Sequence, residues 1–200
     1  TSLGRRRFLA ASATAAGGFS LAFSFPWAAA EAAEVKEVNA WVVIHPDDKV
    51  VIRIARSEMG QGTLTGLAQL VAEELDMDWS KLRVVQSGSE EVYGSPLSHH
   101  VATNSSAAIR FRFDQMRKIG ASARELLKAA AAAQWSVPVA ELTTGPSMVI
   151  HQKSGRRISY GELAAALEVP ATAPKIEPSQ LKKTKDFRLI GKDVPRVELP

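Results

Sequence analysis

The fold of this chain is decided by the stretch VVIRIARSEMGQGT, residues 50–63, and by the helix-like run that follows it at residues 64–77. The run VVIRI predicts a strand, and the apolar side chains of the second run fall on one helical face. Between them, Gly60 and Gly62 flank Gln61 and let the backbone adopt a positive φ and approach a ligand closely. The helix start offers unpaired N–H groups and the positive end of the helix dipole, which suit an anionic group. The sequence therefore predicts a ligand-binding turn between a strand and a helix.

The segments on either side of this stretch follow an α/β pattern. Residues 39–45 alternate in polarity and predict a strand, which forms a hairpin with a strand at residues 49–55. Ser159, followed three residues later by Glu162, predicts a capping box at the start of a short helix. The remaining predicted elements are strands at residues 82–86 and 147–151 and helices over residues 107–135 and 158–167.

Four acidic residues near the end of the first predicted helix are expected to face solvent. They are Glu73, Glu74, Asp76 and Asp78. Adjacent carboxylates on an amphipathic helix are typical of its solvated face. We therefore predict no acid–base pair there.

A long irregular loop, residues 87–104, leads into the second predicted helix. The segment Thr103, Asn104, Ser105 and Ser106 stands at this helix start, where serine and asparagine are common caps that need no ligand. The alternative is a second anion-binding position, in which hydroxyl and N–H groups face a phosphate. The residues alone leave both possibilities open. The neighbouring pair His99-His100 is more typical of a surface turn than of a metal site, and we predict no metal ligand.

The N-terminus fits a signal for twin-arginine export. The run Arg5-Arg6-Arg7-Phe8-Leu9 precedes a mildly apolar stretch, residues 10–25, and a cluster of small residues at 28–33. The alternative is a short membrane anchor, although the apolar stretch falls short of the roughly 20 residues that span a bilayer. We predict a signal peptide over residues 1–33, a cofactor-binding domain over 34–169 and a linker over 170–200. The expected location is the periplasm, where partners could associate the protein with the cytoplasmic membrane.

Composition excludes several classes of function. The net charge of +4 comes largely from basic residues at the two ends of the chain. Because no basic stripe with interleaved aromatic residues is present, we predict no nucleic-acid binding. The chain has no cysteine, so it builds no disulfide and no cysteine-ligated iron–sulfur cluster by itself.

The turn SEMGQGT, together with the run LAQLVAEEL at residues 67–75, resembles the molybdopterin-binding subunit of the xanthine dehydrogenase and aldehyde oxidase family. The resemblance covers residues 35–198 and is strongest to the branch of isoquinoline 1-oxidoreductase β subunits and membrane-associated aldehyde dehydrogenases. It implies a mixed sheet flanked by helices. It also implies cofactor contacts in two segments, at Met59, Gly60, Gln61, Gly62 and Thr63 and at Thr103, Asn104, Ser105 and Ser106. Thr103 and Asn104 stand near positions where the family has small residues, and this departure argues against contact at the metal more than against contact at the pterin or its phosphate.

The resemblance implies hydroxylation of an aldehyde or N-heterocycle with water as the oxygen source. The implied cofactor is molybdopterin cytosine dinucleotide with molybdenum. The implied partners are the remainder of the molybdopterin subunit, a small [2Fe–2S] subunit with iron–sulfur clusters, and in some members a cytochrome c subunit. The family's catalytic glutamate has no counterpart here, so we predict no catalytic residue and no activity for this chain alone. The resemblance covers only the first part of the family's large subunit, so we expect a split subunit, a truncated product or a piece of a longer polypeptide. The alternative function is an exported, non-catalytic binding or assembly domain.

Overall fold

A four-stranded mixed sheet contains the strand that precedes the predicted turn. The computed structural model describes residues 36–39, 41–94, 100–167 and 174–198. The sheet consists of β1 (Lys36–Asn39), β2 (Val42–Ile44), β3 (Val50–Ile54) and β4 (Leu82–Gln86), in that order. The first three strands pair antiparallel, whereas β3 and β4 run parallel. The expected mixed sheet is therefore confirmed.

The predicted strand at residues 39–45 corresponds to β2, and its first residue, Asn39, is the last residue of β1. The side-chain oxygen of Asn39 accepts hydrogen bonds from the N–H groups of Trp41 and Val42, each at 2.9 Å. Asparagine side chains commonly make such local turns by bonding the backbone two residues on. The turn ends β1 and lets β2 begin directly after Trp41. The predicted hairpin between β2 and β3 is confirmed.

Helix α1 (Thr63–Leu75) connects the parallel strands β3 and β4 and packs against a long helix, α3 (Phe113–Trp135). The two helices approach closely at Gly120, where a Cβ atom would lie 2.2 Å from the carbonyl oxygen of Val71. Glycine is the residue that permits this approach. The contact buries apolar side chains from both helices, among them Leu67, Val71, Met116 and Leu127.

The helix predicted over residues 107–135 is interrupted after one turn. A short helix, α2 (Ala107–Arg110), ends where Arg112 N–H donates to the carbonyl of Ile109, and α3 begins after it. Arg112 has a non-helical backbone with φ −112° and ψ 0°. The interruption leaves Phe111 58% exposed and turns Arg112 inward, where it is 1% exposed.

A second sheet of three antiparallel strands follows α3. It consists of β5 (Leu142–Gly145), β6 (Met148–His151) and β7 (Arg156–Ser159), and helix α4 (Tyr160–Ala166) comes directly after it. Of these strands, only β6 was predicted. The sequence does not reveal β7 because this strand is short and mostly exposed and carries little apolar periodicity. The capping box is confirmed: Ser159 accepts from Glu162 N–H, and the Glu162 carboxylate accepts from Ser159 N–H at 3.0 Å.

The acidic face of α1 is buried, so the prediction that it faces solvent is wrong. Glu73 and Glu74 are fully buried and Asp76 is 8% exposed, whereas Asp78 is half-buried. We call Glu73, Glu74 and Asp76 the carboxylate cluster. The face is covered because α3 and the segment at residues 180–190 lie over it and supply donors to each of the three side chains.

Glu74 joins α1 to α3 and to the later segment. Its carboxylate accepts from Arg117 Nε at 2.9 Å and Nη2 at 2.6 Å, and from Arg124 Nη1 at 3.3 Å. The N–H of Lys182 donates to both of its oxygens, at 3.2 and 3.1 Å. The arginines also donate to the carbonyls of Lys182 and Gln180. The buried carboxylate of Glu74 is thereby paired and hydrogen-bonded, as a buried charge requires.

Glu73 plays the same part for residues 188–190. One of its oxygens accepts from the N–H groups of three consecutive residues, Arg188, Leu189 and Ile190, at 2.9, 2.6 and 3.0 Å. Lys182 Nζ bridges Glu73 and Asp76 at 2.9 and 2.6 Å. Residues 180–190 are therefore held against α1 by buried charges. These contacts do not test the predicted linker boundaries, residues 170 and 200, which stay a prediction.

Within the described residues, no helix is long and apolar enough to cross a membrane. The predicted signal peptide, residues 1–33, lies outside the described residues.

Candidate functional site

The two predicted cofactor-binding segments meet at one groove. The groove has a volume of about 370 Å³ and lies between the turn before α1 and the segment that leads into α2. Of the nine predicted site residues, all but Gly60 and Gly62 line it. Its lining comprises Met59, Gln61, Thr63, Thr103, Asn104, Ser105, Ser106, Ala107, Ala108 and Ile109.

A direct hydrogen bond joins the two segments. Ser57 N–H, just beyond β3, donates to the hydroxyl of Thr103 at 2.9 Å, across 46 residues of sequence. This contact fixes the turn that follows β3 beside the approach to α2. The strand-to-helix connection and the second segment therefore form the two walls of one groove.

The turn itself is shaped by its two glycines and by Gln61. Gly60 and Gly62 have φ angles of 94° and 76°, in the region that favours glycine. The Gln61 side chain accepts from Met59 N–H at 2.6 Å and donates to the carbonyl of Ser57 at 2.8 Å. The Gln61 side chain thus stabilises the turn by hydrogen bonds within it. Gln61 also lines the groove.

The carboxylate of Glu58 lies at the start of α1, where the sequence predicts an external anion. Its carboxylate accepts from the N–H groups of Gly60 at 2.8 Å, Gly62 at 3.0 Å and Leu64 at 3.0 Å. Partial burial acts to raise the pKa of Glu58, but these hydrogen bonds outweigh it and lower the pKa below its ordinary value. The N–H groups of Gly60, Gly62 and Leu64 are therefore already satisfied by the chain. A carboxylate four residues before Gly62 is the sequence signal that could have revealed this.

The second wall carries an unusual backbone. Ser105 and Ser106 are consecutive residues in the left-handed region, with φ of 51° and 53°. Ser106 makes no side-chain hydrogen bond to cap α2, so it does not act as the predicted side-chain cap. A non-glycine residue in this region costs about 1–3 kcal/mol and is commonly found at ligand sites. Asn104 also lines the groove.

The rim of the groove exposes apolar side chains. Met59 is 72% exposed and Ile109 is 40% exposed, and both line the groove. The lining therefore combines an apolar edge with amide and hydroxyl groups and contains no charged side chain among the described residues. Such a mixture is typical of sites for small organic ligands.

No group of three or more histidine, aspartate or glutamate side chains in the described part of the chain could hold a metal ion. His100 is exposed, and His99 lies outside the described residues.

Comparison with known proteins identifies the fold family. The family model of the molybdopterin cofactor-binding domain matches residues 5–196. The chain belongs to this family. The family predicted from the turn and the helix after it is thereby confirmed.

Curated relatives agree with the family and show how much of a protein this chain represents. It is 38% identical to the β subunit of isoquinoline 1-oxidoreductase from Brevundimonas diminuta, covering 99% of this chain and 30% of the relative. It is 30% identical to a subunit of nicotinate dehydrogenase from Pseudomonas putida, over 82% of this chain and 13% of that protein. Quinoline 2-oxidoreductase from Pseudomonas putida 86 is a similar solved structure, with 20% identity, a TM-score of 0.47, and coverage of 62% of this chain and 15% of that one. The molybdopterin-binding chain thus spans less than a third of these relatives.

Proposed function

We propose that this chain is the cofactor-binding part of a molybdenum hydroxylase that oxidises an aldehyde or an N-heterocycle with water as the oxygen source. The observation that carries the proposal is the meeting of the segments 59–63 and 103–106 at one groove, through the Ser57–Thr103 hydrogen bond. These are the two segments in which the family resemblance placed the cofactor contacts.

The groove fits a pterin better than it fits a bare phosphate. Its amide and hydroxyl groups match the donors and acceptors of a heterocycle, and Met59 and Ile109 offer apolar contact to a ring. The Glu58 carboxylate at the start of α1 repels a phosphate there. We therefore assign the neutral pterin to the wall that is lined by Met59, Gln61 and Thr63.

The bound cofactor supplies the oxidation chemistry, and this chain's residues bind and orient it. We propose the cytosine dinucleotide form, and partners that comprise the rest of the molybdopterin subunit, a small [2Fe–2S] subunit and a cytochrome c subunit. The isoquinoline and nicotinate enzymes among the relatives are each named as one subunit of an enzyme, which supports a complex of several subunits.

Cofactor content tests the proposal. In the assembled complex, Gln61→Ala should weaken cofactor retention about ten- to hundred-fold, because the turn loses the hydrogen bonds of Gln61 to Met59 N–H and the Ser57 carbonyl, at about 1–3 kcal/mol once a bound cofactor covers them. Gly60→Val should do the same, because a side chain blocks approach to the turn. Molybdenum and pterin per protein are measured for each variant.

Gly155→Val is the matched control for the glycine variant. Gly155 also has a positive φ, 70°, and open space around it, but it stands in the turn between β6 and β7. We expect full cofactor content there. Full content in Gly60→Val as well would show that the turn is structural only, and a native complex without molybdenum would favour the non-catalytic alternative.

We also propose export by the twin-arginine route, which carries folded proteins and therefore suits a cofactor inserted before export. Replacing Arg5 and Arg6 with lysine is expected to abolish periplasmic accumulation, because the pair is the recognised feature of the signal. The measurement is the periplasmic yield of the full-length protein by fractionation. An unchanged yield would reject this route and leave the short-anchor alternative.

A further inference from the structure

The strand β4 forms one edge of the four-stranded sheet, and no described strand pairs with its outer side. Its parallel register with β3 and the hydrogen bond from Ser87 N–H to the Ile54 carbonyl, at 3.0 Å, show which backbone groups face β3. In such a ladder these groups belong to alternate residues of the strand. The N–H and C=O groups of Val84 and Gln86 therefore face away from β3. An open edge of this kind is a template for pairing with another segment.

A groove of about 490 Å³ lies beside this edge, and we call it the edge groove. One wall comes from residues between 79 and 84, and the other from residues 195–197. The second wall is held in place by hydrogen bonds. Trp79 Nε1 donates to the carbonyl of Pro195 at 3.1 Å, and the N–H of Val197 donates to a hydroxyl of α1 at 2.9 Å. The edge groove thus has two ordered walls, one of which includes β4.

The side chains of β4 alternate in character. Leu82 and Val84 pack against the hydrophobic core but are only half-buried, as is Trp79 before them. Arg83 is exposed and belongs to no ion pair among the described residues. Successive side chains of a strand face opposite sides of the sheet, and opposite charges on neighbouring strands attract. A segment that fits this edge therefore offers apolar side chains beside Leu82 and Val84 and a carboxylate beside Arg83.

The remainder of the molybdopterin subunit is the occupant that these observations favour. The chain spans less than a third of its curated relatives, so the subunit proposed above contains a polypeptide much longer than this chain. In that polypeptide, a segment that follows residues 195–197 is tethered beside the edge groove, and a tethered segment binds at a high effective concentration. A second copy of the chain paired through β4 supplies no carboxylate for Arg83, because the strand LRVVQ contains none.

We propose that the outer edge of β4 binds an extended segment from the remainder of the molybdopterin subunit, which adds a fifth strand to the sheet. The inference rests on the proposed function, because that function implies the longer subunit. Main-chain hydrogen bonds to Val84 and Gln86 give the contact its strength, and the edge groove and Arg83 select the segment. The five residues of β4 offer an edge of about 16 Å, which matches a partner strand of common length.

Amide hydrogen exchange tests the proposal without any measurement of activity. The sample is the purified complete enzyme, which contains this chain and the rest of the molybdopterin subunit. We expect the outward N–H groups of Val84 and Gln86 to exchange as slowly as those of Arg83 and Val85, which bond to β3. Residue-resolved exchange distinguishes the two sets. Fast exchange at the outward groups beside slow exchange at the inward ones would show an open edge and overturn the proposal.

Val84→Pro removes one outward N–H and puts a ring in the way of a paired strand, while β4 keeps its bonds to β3. In the complete enzyme, the N–H of Gln86 is expected to exchange about ten-fold faster or more, since a hydrogen bond to the added segment is lost. Slow exchange at Val85 checks that β4 is still folded. Unchanged exchange at Gln86 would contradict the proposal.

Arg157→Pro is the matched control. Arg157 is exposed on β7, an edge strand of the second sheet. Its N–H also faces outward, because the neighbouring Tyr160 N–H and the strand register assign the bonds to β6 to alternate residues that exclude it. We expect this variant to leave Gln86 protected.

A photoreactive amino acid identifies the occupant. In the complete enzyme, p-benzoylphenylalanine in place of Gln86 is expected to cross-link to the remainder of the molybdopterin subunit, at a segment in which apolar and acidic residues alternate. The same amino acid in place of Arg157 is the control and should not reach that segment. A cross-link from β4 to a second copy of this chain or to another subunit, or no cross-link to protein, would overturn the proposal.

Metal content separates this inference from the proposed function. A purified enzyme without molybdenum or pterin would contradict the proposed function, even with β4 protected and cross-linked. A fully loaded enzyme in which the outer edge of β4 exchanges fast would overturn only the pairing of β4.

Discussion

Replacing Glu74 with alanine is expected to lower the free energy of unfolding by about 3–5 kcal/mol, the usual effect of removing one partner from a buried ion pair. Glu74 is fully buried, and its loss leaves Arg117 buried without its carboxylate partner and Arg124 with only Glu125 to pair with. It also removes the acceptor of Lys182 N–H. Chemical denaturation of the full-length protein, followed by circular dichroism, measures the change.

Asp47→Ala is the matched control. Asp47 also pairs with a cation, Lys49, at 2.7 Å, but both side chains are more than half exposed. Exposed pairs contribute little, so the change should stay within about 0.5 kcal/mol. A Glu74→Ala variant as stable as this control would mean that the helices and the segment at residues 180–190 associate without help from the buried charges.

Replacing Glu58 with alanine is expected to release the turn before α1 and to reduce cofactor content. Three N–H groups lose their acceptor, and at about 1–3 kcal/mol for unmade bonds the bound geometry becomes about ten- to hundred-fold rarer. Amide hydrogen exchange should accelerate at Gly60, Gly62 and Leu64 and stay unchanged in α3. Glu58→Gln should have exchange rates and a cofactor content between those of the wild type and Glu58→Ala, because the amide keeps an oxygen acceptor but loses the charge. Unchanged exchange in Glu58→Ala would show that the glycines alone define the turn.

The same contacts make the turn sensitive to acid. The pKa of Glu58 is lowered from 4.5 in the folded protein, so the carboxylate stabilises the folded turn fully above that value. This stabilisation is lost as the pH falls through the folded pKa. Exchange protection at Gly62 should therefore persist at neutral pH and disappear only in acid.

The strand, turn and helix around residues 50–77 could be predicted because their signals are local. A run of β-branched residues, two glycines and an apolar helical face each depend on neighbours a few residues away. The burial of the acidic face of α1 could not be predicted from the sequence. Lys182, the partner of Glu74 on the later segment, lies 108 residues further along the chain. Carboxylates on a solvated helix face and carboxylates neutralised by a distant segment have the same sequence pattern.

The candidate site, too, could be predicted only in part. The residues of both segments were predicted from the family resemblance, and the structure brings them to one groove. The role of Glu58 was missed because the free N–H groups of a helix start are assumed to await an external ligand, although a carboxylate nearby can reach them first. The inward turn of Arg112 was missed because an uninterrupted helix over residues 107–135 would have directed it differently.

The buried carboxylate cluster also sets an order of events during synthesis. The charged face of α1 emerges from the ribosome long before Lys182 and Arg188, which neutralise it across 108 and 115 residues of sequence. At a translation rate of about 5–20 residues per second, the wait is roughly 5 to 20 s. Until then the three carboxylates of the helix lack Lys182 and Arg188 as partners, and the acidic face cannot be buried. The domain is therefore completed late, when this distant segment arrives.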